Sequence, residues 1–595
     1  MSLLLILPPL TQVNTPYPSL SHLSAYTESC GVSTIQSDLG IDLISELFTK
    51  QTLAKVFDIA EQSGKLTKTL RITVSNRAFY ERNVDTVKSF LRGECPEMAT
   101  LFARRQYWQD MHRLPDEDDL EWAYGLSGTT DRAKYLCSLF LKNITDVIHD
   151  TIDDRFELIR YGEKICTYLT DFDILQQELD KPDTLITQML EEMMANNMEI
   201  FSPDIVGLSV PFPGNMIGAL LCAKYIRKNY PDVKIVMGGG YVNTELRQMT
   251  DTGLFDYIDY LTFDDGELPL MRIIKGGALL RTAHSVDGKV VYENMDSNEN
   301  VDFASLPAPD IRAYDLEFYF DFVDSTNPMH RLWSDGRWLK MMLAHGCYWS
   351  KCTFCDTSLD YIGRFQMAKA SVIVDRMEKL MNSTEYRGFH FVDEAAPPAL
   401  LRALAEEILK RGLVLTYWTN IRFDSSFTPE LAYLLAQSGC IAVSGGLEVA
   451  SPRVLKLINK GVTVESATEC MRNLSEQGIM VHTYLMYGFP TQTVDELYDS
   501  LITVRNLFAK GYVKSAFWHQ YAMTCHSPSG RNPQSVGATH LDTMPNAFAN
   551  NEIPFSTDPA IDWSRYSDGL NLATYNYMQG SGFDLPAKYW FKGVK

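Results

Sequence analysis

The sequence predicts an α/β protein with two parallel-sheet units in tandem: a doubly wound, Rossmann-like sheet, then a partial (β/α)6 TIM-like barrel with a carboxyl-terminal extension. Three observations lead there. Apolar runs of strand length alternate with helix-period segments in both halves of the chain. Glycines 238–240 follow one such run directly, as in sheets whose carboxyl edge receives a ligand. Six further runs alternate with helical segments over about residues 338–525.

In chain order, residues 2–7 read as a buried strand stopped by Pro8-Pro9, followed by a polar, proline-bounded loop, a helix over 20–28 and a strand over 32–35. Helical periodicity dominates from about 42 to 197, which we read as an insertion. The sheet resumes with strands over 205–210, 234–237 and 257–263, and residues 282–293 form a hairpin about Asp287-Gly288. The expected organisation is a first domain over 1–297, a linker over 298–337, the barrel over 338–530 and the extension over 531–595. No GxGxxG is present, so the glycines alone are equally compatible with turns that punctuate βα units.

Composition narrows the function classes. Lys plus Arg at 54 against Asp plus Glu at 75 gives −21, and no basic patch offsets it, which argues against a nucleic-acid partner. Eleven cysteines, most of them scattered, do not resemble a secreted disulfide framework, so a reducing cytoplasm is expected. No stretch has the length of a membrane span, and the apolar start is broken by prolines.

The chemistry concentrates at residues 339–358, where an apolar strand gives way to His345-Gly346 and then Cys347, Cys352 and Cys355. Cysteines so spaced can reach one metal centre. Three thiolates point to an iron-sulfur cluster with one open iron; a zinc knot completed by His345, or three reduced core cysteines, are the alternatives. Functional groups of parallel barrels gather at the carboxyl ends of strands. That rule selects Asp393, Glu394, Arg422, Glu448, Tyr487 and His519, with Tyr487 and His519 as candidate catalytic groups.

These residues resemble the radical S-adenosylmethionine (SAM) enzymes, in which a CxxxCxxC motif with an aromatic before its last cysteine holds a [4Fe-4S] cluster whose open iron binds SAM. Phe354 matches the aromatic; four residues, rather than three, separate Cys347 from Cys352. The resemblance implies that Asp393-Glu394 helps hold the SAM amino group, that Glu448 accepts from the ribose hydroxyls, and that Gly488-Phe489-Pro490 lies beside the adenine. It also implies a one-electron donor such as flavodoxin or ferredoxin. The order of pieces in residues 1–297 is similar to the cobalamin-binding domain of one radical SAM subfamily, with Ser209, Gly238, Gly239 and the Asp265-Gly266-Glu267 turn at matching places. The segment Asp110 to Pro115 comes near the DxHxxG signature that ligates cobalt through histidine, but Pro115 replaces the glycine, and we read it as a surface helix. The expectation is a cobalamin-dependent radical SAM methyltransferase acting on an unactivated carbon of a peptide or small metabolite. A rearrangement or cyclisation enzyme with the same cofactors is the alternative, and a cobalamin or iron-sulfur sensor is the non-enzymatic one.

Overall fold

The computed structural model describes residues 1–125, 127–334, 337–541 and 545–592. Residues 335–336 of the expected linker, and 542–544 and 593–595 of the expected extension, lie outside the described residues.

The first sheet is built from β1 (Ser2–Leu7), β2 (Ser33–Asp38), β3 (Ile205–Ser209), β4 (Lys234–Gly238) and β5 (Tyr260–Thr262), parallel in the order β2-β1-β3-β4-β5. The hairpin β6 (Thr282–Val286) and β7 (Lys289–Glu293) adds two antiparallel strands at the edge. The interior of β1 is continuously apolar because helices cover both faces: Leu4 and Ile6 enter one core, Leu3, Leu5 and Leu7 the other. The strand order reverses at β1 and β3, so the carboxyl ends of these two strands flank the crevice where doubly wound sheets bind ligands.

Between β2 and β3, helices from Leu39 to Phe201 replace the single crossover helix such a sheet needs. Asp38 caps the first of them by accepting from the amides of Gly40 and Ile41. Phe79, Tyr80, Trp108 and Phe140 form the aromatic centre of this insertion, with Tyr80 and Phe140 stacked at 4.9 Å. The segment expected as a surface helix about His112 is instead a bend with a buried imidazole. Its Nδ1 meets Thr73 Oγ1 at 2.8 Å and its Nε2 meets Asp146 Oδ2 at 3.0 Å.

The connecting segment is a packed strap rather than a free tether. Its aromatic run buries Tyr319, Phe320 and Phe322, and the Tyr319 hydroxyl donates to Asp38 at 2.8 Å. It leads into β8 (Leu339–Met341), β9 (Gly388–Phe391), β10 (Thr416–Ile421), β11 (Cys440–Glu448), β12 (Met480–Tyr487) and β13 (Ser515–Gln520), all parallel and in sequential order. The period of two sorts their side chains. Leu339, Met341, Phe389, Phe391, Tyr417, Val443, Val481 and Leu485 join the core beneath the outer helices. Lys340, His390, Asn420 and Tyr484 lie on the opposite face, toward the lumen, and remain partly accessible.

The sheet does not close. The gap between β8 and β13 is spanned by the loop after β1, whose Thr15 hydroxyl donates to the Trp338 carbonyl at 2.9 Å, and by the strap, whose Asn327 donates to Ser515 Oγ at 2.8 Å. The helix Ser567–Met578 of the extension packs outside β13, where the Trp518 indole donates to Thr574 at 2.8 Å.

The outer helix Val494–Ala509 opens with a capping box of Thr493 and Glu496, and Glu496 also accepts from Ser451 and Arg453. Burial raises the Glu496 pKa, but these donors outweigh it and bring it down to about 2. A depressed folded-state pKa gives stability that is present above the unfolded value near 4.5 and is lost as pH falls toward 2. Glu496→Gln should therefore destabilise the protein by about 1 kcal/mol at pH 7, given the half-exposed Arg453. In thermal melts the difference from wild type should narrow below about pH 4.5 and close near pH 2.

Candidate active site

The carboxyl edges of the two sheets face each other, and the cysteine loop occupies the edge of the second. After β8 the chain turns at Leu343 and Ala344, whose amides donate to the buried Asp393 carboxylate at 2.8–3.1 Å. Gly346 follows with φ of +74°, and a Cβ there would lie 2.0 Å from the Arg364 carbonyl oxygen, so glycine alone fits this turn. The Cys347 amide then donates to Ile362 at 3.1 Å, which starts the loop.

The extra residue between Cys347 and Cys352 is accommodated outward. Ser350 takes φ of +47°, and the Trp349 indole swings onto the turn after helix Pro452–Leu457, donating to the Asn459 carbonyl at 2.9 Å. Asn459 returns a bond to the Lys351 carbonyl at 2.9 Å, and the Thr353 amide donates to Ile458 at 2.9 Å. Arg422 lies 4.3 Å over the Trp349 ring and clamps it from the far side.

The Cys352 and Cys355 thiols are close enough to influence each other's titration. Their contact, against burial and with help from Lys460 and Arg422, pulls the Cys352 thiol down to about 7, while the same contact and burial push the Cys355 thiol up. The zinc knot does not fit. His345 is committed at both ring nitrogens, Nδ1 to the Arg364 carbonyl at 2.9 Å and Nε2 to Asp265 at 2.9 Å. Among the described residues the three sulfurs are not all gathered within 4.8 Å of one another, as ligands of one zinc at ~2.3 Å must be. A larger centre with a cysteine on each of three corners suits them better.

The same His345 joins the two sheets. Asp265, in the turn after β5, accepts from His345 and from Arg364, and Asp360 accepts from Arg364 at 2.8 Å. Burial opposes charge on His345, but Asp265 and Asp360 outweigh it and raise its pKa to about 10. A second bridge runs from the His526 ring to the Thr244 carbonyl at 3.1 Å.

The expected site residues separate into two sets. Glu394 faces the cleft, open to water yet surrounded by protein, makes no hydrogen bond among the described residues, and burial pushes its pKa up to about 7. Glu267, across the cleft at the start of helix Glu267–Lys275, is pushed to about 7 by burial and Asp265, with His345 and Arg364 opposing. Glu448 is buried at the end of β11 with φ of +62°, and it accepts from Lys460 Nζ at 2.6 Å. His519 is stacked against Tyr484, with ring centres 5.9 Å apart, and burial lowers its pKa.

The others are committed elsewhere. Asp393 anchors the start of the cysteine loop, its carboxylate taken by the Leu343 and Ala344 amides. Arg422 buttresses Trp349 and donates to the Lys460 carbonyl. Tyr487 points outward, by strand parity, into the core beneath the helices and is 3% exposed; Tyr484 occupies the lumen instead. The Gly488 amide donates to Gln492 at 2.7 Å, and its turn with Pro490 packs on Trp563 of the extension. Ser209 Oγ pairs with Ser19 Oγ at 2.7 Å. A Cβ on Gly238 would lie 2.7 Å from Thr262, and one on Gly239 would lie 2.6 Å from the Val210 carbonyl oxygen. These glycines are required by neighbouring chain, before any ligand is considered. Likewise the space beside Gly446 holds the Glu448 carboxylate itself.

Sequence reasoning missed Asp265 and Arg364 as a pair, Lys460, and the Asn459-Lys460-Gly461 turn. The only local signal was a turn-like triplet following a barrel helix.

Gly346→Ala should keep the folded barrel yet reduce iron loading from about four per chain to below one after anaerobic reconstitution. The displaced turn should cost about 1–3 kcal/mol in a denaturant melt. Wild-type iron content in this variant would show the turn to be dispensable.

With this geometry described, comparison with known proteins gives the following. Residues 341–503 match the radical SAM superfamily. The chain is 26% identical over 327 residues to an uncharacterized methyltransferase of Pyrococcus horikoshii, covering 53% of this chain and 67% of that one. It is 24% identical over 344 residues to the anaerobic magnesium-protoporphyrin IX monomethyl ester cyclase of Cereibacter sphaeroides, covering 53% of this chain and 52%, about half, of the relative. Among solved structures it is similar to the cobalamin-dependent SAM radical enzyme OxsB, with 15% identity, a TM-score of 0.48, and 65% of this chain and 60% of the other covered. The cysteine loop and the strands that carry it, within residues 341–503, therefore form a radical SAM domain.

Proposed function

We propose that this protein is a cobalamin-dependent radical SAM methyltransferase that acts on an unactivated carbon of a small metabolite or peptide. The observation that carries this reading is the cleft between two carboxyl edges: the cysteine loop lines one side, the β1/β3 switch point lies on the other, and the acids Glu394 and Glu267 stand between them. When bound, the cluster and SAM supply a 5'-deoxyadenosyl radical, and cobalamin supplies the transferable methyl group.

The chain's own residues hold and shield these groups. Cys347, Cys352 and Cys355 would hold the cluster, and the Trp349, Asn459 and Arg422 contacts keep their loop on the barrel. Glu448, oriented by Lys460, is aligned to accept from a ribose diol. Glu394, the one member of the Asp393-Glu394 pair that faces the cleft, is placed to accept from the SAM ammonium. Ser209, Gly238, Gly239 and Glu267 line the sheet edge that would take cobalamin. The lumen residues Tyr484 and His519 would orient the substrate. A one-electron donor of the flavodoxin or ferredoxin class fits the reaction, as does a reducing cytoplasm.

A cyclisation on the same cofactors is the second reading, favoured by the similarity to the Cereibacter sphaeroides cyclase. Methyl-labelled SAM separates them: the methyltransferase incorporates label into product, and a cyclase does not.

Reconstituted enzyme with reductant should release 5'-deoxyadenosine, and Cys347→Ala, Cys352→Ala or Cys355→Ala should each abolish it. At equal cluster content, Glu448→Gln should weaken SAM binding by about 1–3 kcal/mol. Unchanged affinity would remove Glu448 from the site.

Cobalamin should bind without a protein imidazole on cobalt, because both His112 ring nitrogens are used within the insertion. His112→Ala should leave the electron paramagnetic resonance spectrum of cob(II)alamin unchanged. Loss of a nitrogen hyperfine signal in that variant would overturn this assignment.

A further inference from the structure

We infer that the cavity at the gap in the barrel binds the flat, uncharged aromatic end of the substrate, with His482 Nε2 and the Asn14 side-chain amide as its polar contacts. As a substrate site this rests on the reading proposed above; as a ligand site it rests on the cavity alone.

The cavity has a volume of 360 Å³, within the range of about 300–1,000 Å³ usual for small-molecule sites, and lies where the loop after β1 and the strap meet β12 and β13. Trp333 of the strap, Tyr484 of β12 and Phe517 of β13 give it an aromatic wall. Trp333 and Tyr484 each meet the His482 ring edge-on, with ring centres 5.2 and 4.7 Å away. Such rings favour a flat apolar ligand.

A chain of hydrogen bonds fixes what His482 presents. The Met329 amide donates to Asn327 Oδ1 at 2.8 Å, which turns Asn327 Nδ2 toward Ser515 Oγ, 2.8 Å away. Ser515 Oγ meets His482 Nδ1 at 2.9 Å. Ser515 is fully buried and has no further side-chain partner among the described residues, so its hydroxyl proton goes to Nδ1. Burial, with His519 adding to it, lowers the His482 pKa to about 4, so the ring is neutral and its one proton sits on Nε2. His482 is 5% exposed, and its Nε2 bonds to none of the described residues yet is not sealed inside the protein. This N–H therefore opens on the cavity that the residue lines.

Asn14, on the cavity wall in the loop after β1, is in the same state. It is 6% exposed, and its amide oxygen and nitrogen bond to none of the described residues, though neither is sealed. Buried polar groups are ordinarily hydrogen-bonded, so two that face one cavity mark where the polar atoms of a ligand belong.

The wall does not suit an anion. The described lining carries no lysine or arginine, and Asp324 stands at the mouth, largely exposed and paired with Lys142 at 2.7 Å. A carboxylate inside would lose its hydration and meet no cation. An aromatic carbonyl would accept from His482 Nε2 and from the Asn14 amide, and a carboxamide could also donate to Asn14 Oδ1. From His482, β12 runs three residues to Leu485, the register partner of Glu448, about 10 Å at ~3.3 Å per residue. The end of a metabolite-sized ligand away from His482 would thus reach toward the cleft.

The test is equilibrium dialysis of anaerobically reconstituted protein, without reductant, against 2-naphthamide and 2-naphthoate. Radical formation plays no part in this measurement, so failure to bind overturns the site and leaves the proposed chemistry to its own tests. Wild type should bind the amide at least about tenfold more tightly than the carboxylate. Asn14→Ala and His482→Leu should each weaken amide binding about tenfold. No saturable binding of the amide at millimolar concentration, equal or tighter binding of the carboxylate, or unchanged amide affinity in either variant would overturn the assignment. Should His482→Leu fail to fold, His482→Phe, which keeps a ring beside Trp333 and Tyr484, takes its place.

Discussion

The structure depends on one ionic junction, where Asp265 of the first sheet meets His345 and Arg364 at the base of the cysteine loop. Two carboxyl edges do not attract each other; each carries loops, turns and exposed amides. A half-buried group of two acids and two cations, satisfied by hydrogen bonds on every side, supplies both attraction and a fixed register. Through His345 it also sets the chain one residue before Gly346, so docking of the sheets and shaping of the loop are one event. The three acidic and imidazole groups lie close enough to hold a cation, but the Arg364 guanidinium already occupies that role.

Around this junction charge is distributed unevenly. The acids in the junction are paired, whereas Glu394, open to water, and the half-buried Glu267 in the adjoining cleft accept no side-chain hydrogen bond among the described residues. Glu448 shows the opposite arrangement: Lys460 satisfies it beforehand, so its carboxylate is held in one place at the cost of a strained backbone.

The open barrel gives this chemistry a chamber. Six strands cannot close the ring, and the missing arc is filled by the loop after β1 and by the strap. The first sheet therefore contributes walls to the lumen as well as a cofactor edge. A strap rich in Phe and Tyr is what burial between the insertion and the barrel demands, and its packing makes the halves one body with a continuous core.

Much of this was legible in the residues. Apolar runs on parallel strands are continuous because both faces are covered, so their number and order could be read directly, as could the thiol loop, whose spacing is local. Parity was legible in principle as well: alternation along β12 distinguishes Tyr484 from Tyr487, but the sequence offers both as aromatic groups near a strand end. What only the tertiary structure decided is which polar groups are already spent. Asp393 and Glu394 are adjacent acids at one strand end, yet backbone amides from another segment claim the first and leave the second free. Gly238 read as an opening for a ligand, yet the Thr262 side chain fills it. His345 read as a possible fourth metal ligand until Asp265, eighty positions earlier, was found against it. Hydrogen-bond partners distant in the chain are set by docking, and no local pattern records them.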